Sequence, residues 1–369
     1  METAARHFHR HGFHGVAMAD VANQVGLTAP ALYRHFRNKK ALLAATVETG
    51  LDLVDAAWES AGQQLGDLLF NLAGVALERR DLWALLQREV RHLDEPERSA
   101  IRARFTALAA GLSARVRRER PEAGEAHISL IVTAVLGVLA SASVSGLRVP
   151  AGDYQRILTA AAVAVARAGL PVPAPSAVPA TRNDRLPPRS RSEQLLVTAI
   201  ALFHDHGYAA VTLDQIAIAV GLTGPSIYHH FATKSELLVS AFSRVAHQLA
   251  LECGTRSGDV ELDALVRVYI ELGVRERQLF GVYVTEAVNL PAEDGRRIRA
   301  ELTANVAEWS AALRRRRPQL GETASLVLVH AARGIVNDVV RVGELHKRAD
   351  IRAELKSLVD ATLNVKLSS

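Results

Sequence analysis

Cysteine is nearly absent: Cys253 is the only one in 369 residues. That excludes an internal disulfide and fits a reducing cytosol. Proline is nearly absent from the long periodic segments, and no convincing strand alternation appears, so the expected fold is all-α. The N-terminal run METAARHFHRHG has no apolar core of the kind a signal peptide needs. No nucleophile–base arrangement, metal signature or phosphate loop is present, so an enzyme reading, a metal and a cofactor are all without support. What remains is a chain that is 49% apolar, with a formal charge of +5 and a pI near 9.5. It is large enough for two cores and mildly basic, which permits an anionic partner.

Six of the thirteen prolines fall in LPVPAPSAVPATRNDRLPPR, Leu170 to Arg189. This stretch reads as an extended linker that could reach roughly 60 Å. The halves on either side are copies. At an offset of 195, Ala4–Leu43 matches Ala199–Leu238 at 18 of 40 positions. At an offset of 197, Ile101–Pro121 matches Ile298–Pro318 at 12 of 21, and Gly124-Glu125 and Gly321-Glu322 then open the next helix in each. The duplication therefore covers a whole unit rather than a motif. Ile128 to Leu147 is uncharged and long enough to span a bilayer. Its counterpart near Leu326–Leu345 carries His330, Arg333, Asn337, Asp338, Arg341 and Glu344, and charge at a helix centre is costly in lipid. Both are expected to be buried bundle helices, with no membrane partner.

The repeated motif is VGLTAPALYRHF in one half and VGLTGPSIYHHF in the other. Thr212 with Gln215 makes a capping box that opens a helix. Gly221 suits a helix end at positive φ. Thr223 is expected to cap the next helix, with Pro225 in its first turn. Thr233 with Glu236 opens a long supporting helix. The product is a helix-turn-helix whose second helix can enter the major groove. Thr223, Tyr228 and Lys234 could donate to phosphate oxygens, and Gly224, Ser226 and His229 lie where base edges would be met, with His230 beside them. In the first half the matching residues are Thr28, Tyr33 and Lys39 for phosphates and Ala29, Ala31 and Arg34 for bases, with His35 alongside; Arg34 could read a guanine bidentately. Leu32, Phe36, Ile227 and Phe231 are core.

The pattern G-[FY]-x-x-V-x-[ML]-x-x-[VI]-A-x-x-V-G-L-T-x-P-x-[LI]-Y-x-H-F-x-x-K-x-x-L-L occurs twice and resembles the tetracycline-repressor (TetR) family of bacterial transcriptional regulators. The resemblance implies two units fused in tandem, each a helix-turn-helix followed by a helical ligand-binding and dimerising bundle. The expected domains are 1–45 and 190–240 for DNA, 46–169 and 241–369 for the bundles, and 170–189 as linker. It further implies an operator DNA, a small-molecule effector, repression relieved by that effector, and pairing as an intramolecular pseudo-dimer or a homodimer. Activation of transcription, or a ligand-binding protein that has lost DNA binding, are the rival readings.

The copies are not equal. Ala17 stands where Thr212 stands, a missing cap that costs roughly 0.5–2 kcal/mol. Met1 aligns with Leu196, so about a turn and a half of the first helix is missing; Arg189 and Arg191 precede the second copy. Either the true start lies upstream or the first unit binds DNA more weakly. His7, His9, His11 and His14 read as a solvated helix face rather than a metal site, and Cys253 as a half-buried thiol. The cores hold Trp58, Phe70, Trp83 and Phe105 in the first half and Tyr269, Phe280, Tyr283 and Trp309 in the second. Trp83, Glu89 and Phe105, and Phe280, Tyr283, Glu286 and Trp309, are the candidates for an apolar ligand pocket with few polar groups. His330, Arg333, Asn337 and Arg341 share a helix face, either exposed or lining an interface or ligand.

Overall fold

A computed structural model describes residues 1–171, 190–254 and 261–367, with backbone alone at 251–254. The expected linker from residue 172 onward, Arg189 with it, and the Cys253 side chain lie outside the described residues. Every element among the described residues is helical.

In the first half, α1 (Glu2–Gly15) is broken at Gly12. Then come α2 (Met18–Gln24), α3 (Ala29–His35) and the long α4 (Lys39–Glu59). Above them lie α5 (Leu65–Glu78) and α6 (Arg80–Ala84), which runs into a π-helical turn at Leu85–Glu89 and a 3-10 turn at Val90–His92. The half closes with α7 (Glu95–Glu119), α8 (Glu125–Ser145) and α9 (Ala151–Ala166). α9 packs on α5 and α8, and α8 packs on α7. The reason is composition: Ile128 to Ala142 of α8 is almost wholly buried, so this helix is wrapped by its neighbours rather than presenting one stripe.

The second half repeats the order: α10 (Arg191–His206), α11 (Leu213–Ala219), a 3-10 helix at Gly224–His229, α12 (Lys234–Gly254), α13 (Leu262–Arg275), α14 (Arg277–Glu286), α15 (Ala292–Arg316), α16 (Glu322–Arg341) and α17 (Ile351–Leu363). α10 meets α11, α12 and α14, and α12 meets α15. One core runs through Leu195, Ile200, Phe203, Ile216, Ile227, Phe231, Leu238 and Phe242 to Leu279, Val282 and Ile298. The helix-turn-helix therefore shares its apolar interior with α14 and α15.

Contacts divide the chain into two compact units. The first is Met1–Gly169 with His330–Ile335 and Asp360–Ser369; the second is Leu170–Val329 with Val336–Val359. Inside the first unit, a Cβ on Gly137 would stand 2.6 Å from the Gly334 carbonyl oxygen, so only glycine permits this backbone approach.

Gly124 and Gly321 precede α8 and α16 as expected. Both helices are long and apolar enough to cross a membrane, and 72% of the apolar window of each is buried against the rest of the chain. One expectation needs correction. Phe70 is 44% exposed rather than core. Of the readings left open for the polar stripe of α16, the exposed one fails: Arg333 is buried, Asn337 accepts from the Tyr269 hydroxyl at 2.8 Å, and Arg341 pairs with buried Asp338 at 2.7 Å. Burial beside Arg333 holds His330 down to a pKa of about 4.

Candidate nucleic-acid interface and helical core

The two helix-turn-helix copies share their turn. After α2 and α11 the chain reverses at Gly26 (φ 72°) and Gly221 (φ 74°), a left-handed conformation that favours glycine. They differ in how the next element forms. Thr28 accepts the Ala31 N–H at 3.3 Å and starts a true α-helix, Ala29–His35. Thr223 does not cap in this way: its hydroxyl bonds the Ser226 hydroxyl at 2.7 Å, and the element is a 3-10 helix. The side chain that should have satisfied the first turn is spent on a neighbour. Thr212 behaves as expected. Its hydroxyl accepts Gln215 N–H at 3.2 Å while its own N–H donates to Gln215 Oε1 at 2.8 Å. Thr233 accepts Glu236 N–H, but the Glu236 carboxylate reaches Ala232 rather than Thr233.

Tyr33 and Tyr228 project at 50% and 55% exposure from matching positions. Arg34, His35 and His229 are also exposed, while Ala29, Ala31, Gly224 and Ser226 are half-buried. His230 is turned back to Ser192 at 3.0 Å.

Lys39 and Lys234 depart from their expected part as phosphate hands. The Lys39 ammonium donates to Val16 O at 2.9 Å and sits 4.5 Å from the centre of the Phe13 ring. The Lys234 ammonium donates to Tyr208 O and Val211 O, both at 2.7 Å, and lies 4.3 Å from the Tyr208 ring centre. In each copy the amine ties the long fourth helix to the turn after the first helix, and burial pushes its pKa down. Val16 and Val211, and Phe13 and Tyr208, correspond at the same offset of 195. The recurrence of G-[FY] 26 residues before the lysine in both copies is the signal that could have revealed this clamp.

The expected ligand residues are packed differently in the two halves. Trp83 and Phe105 lie 5.6 Å apart, and the Trp83 Nε1 is buried without a hydrogen-bond partner. Glu89 is no ligand handle. It pairs with Arg88 and accepts Phe13 N–H at 2.8 Å, while Arg88 donates to Phe8 O at 2.9 Å and His9 O at 2.7 Å. This buried pair from the π turn grips the end of α1. Next to it His92 stacks on Phe13 at 5.0 Å and meets His14 edge-on at 4.7 Å. Burial, with Arg91 beside it, lowers the His92 pKa to about 4.

In the second half Phe280 and Trp309 flank Tyr269, at 5.5 and 5.7 Å, in a buried aromatic cluster. Tyr283 meets Phe242 at 5.2 Å, and buried Glu286 accepts from Asn289 at 2.8 Å. A cavity of about 210 Å³ opens elsewhere, lined in part by Gly74, Leu77, Arg80, Val149 and Gln155, none of them expected from sequence. Among the described residues no group of three or more His, Cys, Asp or Glu could hold a metal. Two of the four histidines depart from a solvated face: His7 is half-buried and bonds Gln24, and His9 is half-buried with its pKa lowered by burial.

The family described as "Bacterial regulatory proteins, tetR family" matches residues 1–46 and again 195–241. The "HTH-type transcriptional activator FasR" of Mycolicibacterium smegmatis is 41% identical over 63 residues, 17% of this chain and 29% of that protein. The "HTH-type transcriptional repressor KstR2" of the same organism is 39% identical over 51 residues, 14% of this chain and 25% of that protein. The chain thus spans under a third of the length of these relatives. A solved TetR-family regulator from Bordetella parapertussis aligns over 49% of this chain and 100% of its own, with 21% identity and a TM-score of 0.43.

Proposed function

We propose, on the premise that the chain carries two TetR-family units in tandem, that it is a cytoplasmic transcriptional regulator with no catalytic role. Residues 1–45 and 190–240 contact double-stranded DNA, and residues 46–169 and 241–369 form effector-binding and pairing bundles. The supporting observation is the recurrence, 195 positions apart, of a helix-turn-helix that exposes a tyrosine at the same place, Tyr33 and Tyr228. Each recognition element can sit in a major groove while its tyrosine hydroxyl donates to phosphate.

A small molecule binding the bundle would release the DNA, as a repressor relieved by its effector. The buried Trp83 indole N–H beside Phe105 supports this for the first half. One relative is named an activator and another a repressor; transcription in vitro from the bound promoter, with and without protein, separates the two.

The halves pair within one chain, since each carries its own pair of C-terminal helices, α8 with α9 and α16 with α17. A tethered second module binds at an effective concentration that can reach the millimolar range. Light scattering with a minimal operator tests it: one chain per site is expected, and two chains per site, persisting on dilution, would instead mean a homodimer. The functional reading itself is tested by footprinting the purified protein on the DNA around its own gene. A protected stretch is expected; absence of protection at low salt would remove the reading.

A further inference from the structure

The two recognition surfaces differ in hydrogen-bonding chemistry. At four matched positions the first copy has Ala19, Ala29, Ala31 and Arg34, and the second has Asp214, Gly224, Ser226 and His229. Three alanines leave Arg34 as the sole polar group of its set, and a guanidinium only donates. It is exposed on the last turn of α3.

The second copy contains an acceptor. Asp214 is exposed in the first turn of α11, and its carboxylate lies over the first residue of the recognition element. A Cβ built on Gly224 would stand 2.6 Å from Asp214 Oδ1 and 3.1 Å from its Cγ. Gly224 is thus what admits the carboxylate to this edge, and Ala29 with Ala19 could offer nothing comparable. A bare carboxylate beside a polyanion is repelled unless it accepts a proton donor, and the donors on a base edge are the exocyclic amines. Aspartate accepts from the cytosine N4 amine, whereas arginine donates to guanine O6 and N7.

We propose that the two motifs read two different kinds of half-site, one fixed by a guanine under Arg34 and the other by a cytosine under Asp214, so that the operator is not a palindrome of a single element. This rests on the proposed DNA-binding function.

Selection of random duplexes by the purified full chain, wild type, Arg34→Ala and Asp214→Asn, followed by titration of the enriched sites, tests it. The wild type is expected to enrich two distinct elements. Arg34→Ala should relax one guanine position by about five-fold or more and leave the other element unchanged. Asp214→Asn should lose the cytosine preference in the other element alone and shift it toward adenine, because asparagine both donates and accepts. Both side chains are exposed, and matching helical content by circular dichroism shows that each variant has folded. Enrichment of one element repeated as a palindrome, or an unchanged base preference in both variants, overturns the proposal while leaving DNA binding intact. No enrichment of any duplex would overturn the functional reading itself, and this inference with it.

Discussion

The two helix-turn-helix modules arrive at one backbone by different supports. In the second, side-chain caps open three of the four elements: Ser190 opens α10, Thr212 and Gln215 open α11, and Thr233 opens α12, while the recognition element has none. In the first, Thr28 caps α3 and Asn38 caps α4, but α2 begins on Ala17 with no side-chain cap. There the bundle also grips the end of α1, where Arg88 and Glu89 satisfy backbone groups of Phe8, His9 and Phe13. Local caps and this tertiary pair act on different helix ends. In the left-handed turn at Gly26 and Gly221, the lysine clamp and the exposed tyrosine, the copies agree.

Four experiments would break or sharpen that contrast. The largest effect is expected from Arg88→Ala, which strands the Glu89 carboxylate in the interior. Losing one partner of a buried pair costs about 3–5 kcal/mol. Calorimetry should show the first half melting earlier while the second keeps its transition. An unchanged profile would mean the pair does not hold α1.

Next comes DNA affinity. If the module whose α11 is capped by Thr212 anchors the complex, Tyr228→Ala should weaken binding about ten-fold, or ~1.4 kcal/mol, and more than Tyr33→Ala does. Fluorescence anisotropy on the protected fragment measures both, and equal or reversed losses would place the anchor in the first module.

Exchanging caps should give smaller, opposite shifts. Thr212→Ala is expected to lower stability by about 1 kcal/mol, and Ala17→Thr to raise it by somewhat less. Urea midpoints at constant m-value are the readout, and a neutral Ala17→Thr would show that the missing cap costs the first module nothing.

A fourth experiment concerns acid. His92 in the first half and His330 in the second are held neutral, both near pKa 4. A histidine that titrates near 6.5 when unfolded and near 4 when folded binds its proton preferentially in the unfolded state. Its burial is free of this penalty above about pH 6.5, and stability falls as pH drops from there towards 4. His92→Gln and His330→Gln should each flatten part of that fall in denaturation series between pH 7 and 4.

The fold was legible in the residues because its signals are local. Helical period, capping pairs and the positive-φ glycine each act within a few positions, and the duplication checked one copy against the other. The site was legible only in outline. Tyr33, Tyr228 and the short recognition elements lie where the motif places them, since exposure follows from helix face. The tasks of Lys39, Lys234, Glu89 and Thr223 were not legible. Each depends on a partner that the fold brings close: Val16, Val211, Phe13 and the Ser226 hydroxyl. Asp214 escaped notice for the same reason, because its closeness to Gly224 needs the turn between them to be closed.

Length is normally the least forgiving property of a helix, since deleting one residue turns everything beyond it by about 100°. The π turn at Leu85–Glu89 is an exception. Its i→i+5 hydrogen bonds enclose one residue more than an α turn needs, so a single deletion there can be absorbed by reverting to α-helix, leaving α7 in register while the grip on α1 is lost. The segment is thus a place where the chain tolerates shortening by one residue, and where a change in length alone would unfasten the first helix-turn-helix without touching any residue of its second helix.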